Sequence, residues 1–129
     1  MATTSSWLTS LALSALCSIA QAGEAACPSE KGGERLASAS VFDGPPSEHA
    51  DLVPDRHRQT KDGSRSEWDV AYVFEAGRQL YVECRYRGNT EPVVIEPPPA
   101  TTLCTFVTRH RGRSSLGCAS PGAGQKQRG

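Results

Sequence analysis

This chain has no excess of charge of either sign: lysine plus arginine number 14, aspartate plus glutamate 14, and histidine is scarce at three in 129 residues. A dedicated nucleic-acid binder carries a marked basic excess, so that class is excluded. A zero balance also gives no reason to expect attachment to a membrane surface. No apolar run reaches the roughly 20 residues that a membrane-spanning helix needs. Aromatic side chains make up only 6% of the chain, which limits the core to a small one. There is no Cys-x-x-Cys and no Cys/His pair at ligand spacing, which argues against a zinc site. There is no Gly-x-Ser-x-Gly to put a serine on a strained turn. No glycine loop follows a strand to cradle a phosphate, the carboxylates are scattered singly, and no internal repeat occurs. The sequence therefore assigns no catalytic, cofactor-binding or metal-ligating residue, and no cofactor.

What is present begins with an export segment. No charged side chain precedes Glu24, and residues 7–20 are mostly apolar. Ala20-Gln21-Ala22 then sets small residues on both sides of a spacer, the pattern a signal peptidase accepts. A signal peptide over residues 1–22 is expected, with a periplasmic or secreted mature chain starting at Gly23. Cys17 offers a lipoprotein alternative, but Leu16 stands where a lipidated cysteine needs a small residue. Four cysteines follow the cleavage point: Cys27, Cys84, Cys104 and Cys118. An even count in an oxidising compartment reads as two disulfides.

The apolar pattern is that of strands. Residues 23–33 are small, polar and charged apart from Cys27-Pro28 and read as a mobile start pinned by Cys27. Residues 36–42 give a first short strand, ended by Asp43-Gly44-Pro45-Pro46. Ser47 is placed to cap a helical turn running to Leu52. Residues 56–66 hold no apolar side chain and read as a polar loop. Trp68, Val70, Tyr72 and Phe74 occupy alternate positions, as do Leu80, Val82, Cys84 and Tyr86, which predicts two half-buried strands. Folding them about Gly77 sets Trp68 opposite Tyr86 and Val70 opposite Cys84, with Trp68 in the core. Val93 to Ile95 is a short strand bounded by prolines, hence at an edge or strand end. Folding residues 103–118 about Arg111 sets Cys104 across from Cys118 and Phe106 across from Leu116. This favours Cys104–Cys118 and, by default, Cys27–Cys84; the rival pairing is Cys84–Cys104 with Cys27–Cys118. Residues 119–129 have no apolar pattern and read as a disordered tail. The expected fold class is mainly β: one domain over residues 23–118, a small antiparallel meander or partly open barrel of about five or six strands, disulfide-stapled, with at most a short helical turn.

The ordered segments Cys27-Pro28, Phe42-Asp43-Gly44-Pro45-Pro46, Leu52-Val53-Pro54-Asp55, Trp68, Cys84-Arg85-Tyr86 and Cys104 together resemble a family of small exported bacterial proteins. The likeness runs from about Cys27 to Cys118. It implies a bacterial periplasmic or secreted protein, and brings no activity, ligand or catalytic residue with it.

Three functional readings compete. The leading one is a non-catalytic binding, inhibitor or interaction module of the bacterial envelope, with an exported protein or an anionic envelope polymer as partner. It rests on the missing catalytic constellation and on a small, disulfide-fixed scaffold. The second is a small hydrolase or metal-dependent enzyme. His49-x-Asp51 and Asp55-x-His57 bracket Pro54 and have residue types suited to a divalent ion. The third is a structural envelope protein that holds an anionic polymer through two basic clusters. These are Arg56, His57, Arg58, Lys61 and Arg65, and then Arg109, His110, Arg111 and Arg113.

Overall fold

The computed structural model describes residues 24–88 and 91–121. The expected signal segment, Cys17 included, and residues 122–129 of the expected tail lie outside the described residues. Among the described residues the chain is mainly antiparallel β, with one short α-helix and two disulfides. In order the strands are β1 (Glu24–Ala26), β2 (Glu30–Lys31), β3 (Glu34–Asp43), β4 (Arg56–Thr60) and β5 (Gly63–Asp69). After the helix α1 (Ala71–Glu75) come β6 (Leu80–Tyr86), β7 (Val93–Ile95), β8 (Leu103–Arg109) and β9 (Ser115–Ala119). They divide between two open sheets, ordered β1-β9-β8-β5-β4 and β2-β3-β6-β7. The strands outnumber the expected five or six because several are two or three residues long and carry no alternation of their own.

One core joins the two sheets. Leu36 and Val41 of β3 and Leu80, Val82, Cys84 and Tyr86 of β6 meet Trp68 of β5, Cys104 and Phe106 of β8, and Leu116 and Cys118 of β9. Within β6 and β9 every second side chain is buried, and in β8 Cys104 and Phe106 are, as a strand with one face on a core requires. Disulfides join Cys27 to Cys84, from the end of β1 to the middle of β6, and Cys104 to Cys118, between β8 and β9. Folding about Arg111 gives the observed register, with Cys104 opposite Cys118 and Phe106 opposite Leu116. The strand continues through Ala119, which pairs with both Glu24 and Leu103.

Four expectations are corrected. Trp68 is buried, but the hairpin about Gly77 does not form. Trp68 pairs with Cys104, and β6 pairs with β3, setting Tyr86 opposite Leu36 and Cys84 opposite Ala39. Val70 and Val73 are both fully buried while Tyr72 is half exposed, so a spacing of three overrides the spacing of two, and the segment turns helical. Gly77, at φ +74, closes that helix: its N–H donates to the Phe74 carbonyl and the Arg78 N–H to the Val73 carbonyl. This is the paired bonding of a glycine-terminated helix end, not of a hairpin turn.

The polar stretch 56–66 is not a loop but a hairpin of β4 and β5, with Thr60 opposite Gly63. Every residue of β4 is exposed, so it shows no apolar period; its charges suit an edge strand. On its other side β5 approaches β8 so closely at Gly63 that a Cβ there would lie 1.9 Å from the Thr108 carbonyl oxygen. Of the segment 23–33, expected to be mobile, residues 24–33 hold β1, β2 and the turn of the β2–β3 hairpin. Gly32 and Gly33, at φ +58 and +81, supply the positive pair that a two-residue hairpin turn demands. Finally, the turn after Pro45 is a 3-10 turn over Pro46–Glu48 without a side-chain cap, so Ser47 does not serve as one.

Candidate functional site

The four residues of the enzyme reading are not gathered. His49 ends the 3-10 turn in a left-handed conformation and is exposed. Asp51 pairs by backbone with Phe42. An oxygen of Asp55 accepts the Asp69 backbone N–H at 2.7 Å. His57 sits opposite Ser66 across β4 and β5, its Nδ1 2.7 Å from the serine Oγ. Among the described residues no carboxylate is bonded to the other ring nitrogen, as a hydrolytic triad would need. Among the described residues no three His, Cys, Asp or Glu side chains stand together as metal ligands would.

The two basic clusters differ in how far they are neutralised. On the β4–β5 hairpin Arg56 donates two hydrogen bonds to the Asp69 carboxylate, at 2.8 and 3.0 Å, and lies 3.5 Å from Glu67. This guanidinium holds the Asp69 carboxyl below its ordinary range and is itself pushed further up. Arg65 also pairs with Glu67. The hollow of about 320 Å³ between Arg56, His57, Arg58, Arg65 and Glu67 is therefore largely compensated. Only Arg58 and Lys61 of that cluster keep a charge without a carboxylate partner among the described residues.

The second cluster gains members that lie far away in sequence. Arg109 ends β8, and His110 follows it into the β8–β9 turn. That turn is tied to the β4–β5 turn: the His110 N–H donates to the Asp62 backbone carbonyl at 2.6 Å. It is also tied to the other sheet, where Arg113 pairs with Glu30 of β2 at 2.6 Å. Between these ties opens a cleft of about 390 Å³ at the shared end of the two sheets. Arg109, His110 and Ser114 form one wall; Glu34, Arg35 and Arg87 form the other. Arg35 and Arg87 are neighbours because β3 pairs with β6, and the Arg87 N–H donates to the Arg35 carbonyl at 3.1 Å. Among the described residues, the guanidinium groups of Arg35, Arg87 and Arg109 have no carboxylate within ion-pairing distance. The stem of Arg109 runs over Gly112, whose φ of +123 only glycine adopts readily. Reasoning along the chain identified Arg109 and His110 but not Arg35 or Arg87; each of those stands alone in sequence, and only the β3–β6 pairing brings them to Arg109.

A second hollow of about 390 Å³, on the β1–β9 edge, is lined by Glu24, Ala25, Ala26, Gly117, Cys118 and Ala119 and offers one ionisable group. Among the described residues no helix is long and apolar enough to cross a membrane.

The family model of the Type VI secretion system Tli immunity protein covers residues 29–119, and the chain belongs to that family. No curated protein and no solved structure matches.

Proposed function

We propose, from membership of the Tli immunity family, that this chain protects its cell by binding and blocking a toxin of a type VI secretion system, without catalysis. The single observation that carries the reading is the extent of the family match. It spans residues 29–119, from just before β2 to the end of β9, so every strand but β1 and the whole lining of the cleft lie inside it. The architecture supports the same reading. A domain pinned by two disulfides changes shape little, so it presents fixed side chains to a partner at low entropic cost. His49, Asp51, Asp55 and His57 lie apart, which leaves the enzyme reading without an assembled site among the described residues.

In the same proposal residues 1–22 are an export signal cleaved after Ala22, so that the protein acts in the periplasm. The test is protection. The type VI effector of the source strain is directed to the periplasm of a susceptible host, with and without this chain. Growth restored only by the exported chain is expected. Failure of the exported chain to protect, or equal protection by a chain lacking residues 1–22, contradicts the proposal.

A further inference from the structure

We propose that the cleft between Arg35, Arg87 and Arg109 is the docking site for an acidic segment of a partner protein, its carboxylates seated between the two arginine walls. The inference rests on the immunity reading for the partner being a protein, and on the structure for the rest. Three arginines, Arg35, Arg87 and Arg109, line a concavity of about 390 Å³ whose lining includes one acidic residue, Glu34. Each guanidinium is a planar fork that matches a carboxylate in a bidentate pair. Ser114 and His110 line the same wall and add polar groups between the charges.

The walls are held in place by the fold. Arg35 and Arg87 stand on adjacent strand ends joined by a backbone hydrogen bond. The opposite turn is fixed by the Arg113–Glu30 pair and the His110–Asp62 bond. The cleft thus meets its ligand largely preorganised.

The charge pattern separates a protein segment from a polyanion. Glu34 sits inside the cleft, and Asp62 lies beside it at the neighbouring turn, where the Arg111 N–H reaches its carboxylate at 3.4 Å. A densely charged polymer would meet these carboxylates wherever it extended. A short segment with a few carboxylates spaced by neutral groups avoids them. The zero net charge of the chain points the same way, because a polymer gathered by long-range attraction calls for a broad positive field.

The test is a titration of the purified protein with a labelled peptide whose glutamates are spaced by Gly-Ser pairs, at low salt, with dextran sulfate in a parallel series. Saturable peptide binding is expected, weakened about tenfold or more by Arg87→Glu or Arg109→Glu, as for a charge reversed in a paired site. Arg58→Glu, on the other hairpin, should leave it unchanged. Arg87→Lys and Arg109→Lys keep the charge but lose the fork, and should fall between wild type and reversal. No peptide binding, an equal loss with Arg58→Glu, or tighter cleft-dependent binding of dextran sulfate than of peptide overturns the proposal. The last result would assign the cleft to an anionic polymer. The protection assay separates this inference from the one beneath it. An exported chain that still protects with Arg35, Arg87 and Arg109 all reversed refutes the cleft and leaves the immunity reading standing. A wild-type chain that fails to protect refutes the immunity reading, whatever the peptide does.

Discussion

Trp68 holds the two sheets and their longest connection together, and replacing it should reveal both contributions separately. The indole is 4% exposed and lies in the shared core. Its N–H donates to the Leu52 carbonyl at 2.9 Å, and the Leu52 N–H donates in turn to Val41 of β3 at 2.8 Å. One side chain of β5 therefore clamps the 44–55 segment against the opposite sheet. Trp68→Phe keeps most of the packing and removes the donor. It leaves the Leu52 carbonyl without its partner, at a cost of about 1–3 kcal/mol. Trp68→Ala removes the ring as well and should cost about 3–5 kcal/mol. For a domain of this size each kcal/mol moves the melting point by roughly 4–8 °C, so the alanine variant should melt tens of degrees lower or fail to fold. Urea unfolding followed by far-UV circular dichroism measures both, because the fluorescence of Trp68 is lost in either variant. An alanine variant with an unchanged midpoint would refute the core assignment. A phenylalanine variant as damaged as the alanine one would show that packing is not the larger part.

Three further perturbations test other parts of the account. Replacing Cys27 and Cys84 together by alanine releases a loop with a separation of 57 residues, against 14 for Cys104 and Cys118; chain entropy puts these at about 4 and about 3 kcal/mol, and urea midpoints in the reverse order would contradict that account. Thr101 is 1% exposed and its Oγ1 has no hydrogen-bond partner among the described residues. Thr101→Val keeps the shape and should raise stability by about 1 kcal/mol; a lowered urea midpoint would mean that the hydroxyl is satisfied in solution. Tyr86 is buried and its hydroxyl donates to the Pro28 carbonyl. Burial raises its pKa above the ordinary value of 10.0, so folding favours the neutral phenol. That stability is present in full below the ordinary tyrosine range and is lost as pH rises through the folded value; urea midpoints that climb across this range, in wild type but not in Tyr86→Phe, would refute the sign.

The parts of the fold that were legible in sequence are those where one physical pattern stood alone. Around Arg111 a turn is flanked by two alternating runs, and the observed register follows from counting outward. Leu80 to Tyr86 alternates cleanly, and its buried face is the expected one. The Trp68–Phe74 run failed because it satisfies two periods at once. Val70 and Val73 fit a helical spacing as well as the alternating one fits Val70 and Tyr72, and Gly77 serves a helix end as readily as a hairpin. β4 was illegible for the opposite reason: an edge strand exposed on every residue leaves no apolar trace. The cleft was half legible. Arg109 and His110 stand out as part of a basic run, but Arg35 and Arg87 join them only through pairing between β3 and β6, which no local pattern announces.

The measurement that tests the central claim most directly is an inhibition titration of the purified type VI effector with the purified chain. Effector activity should fall linearly to zero and reach it at one chain per effector, with the two proteins recovered unmodified in a single complex. Inactivation by far less than one equivalent, or recovery of a chemically altered effector, would show that the chain acts as an enzyme and would contradict the account.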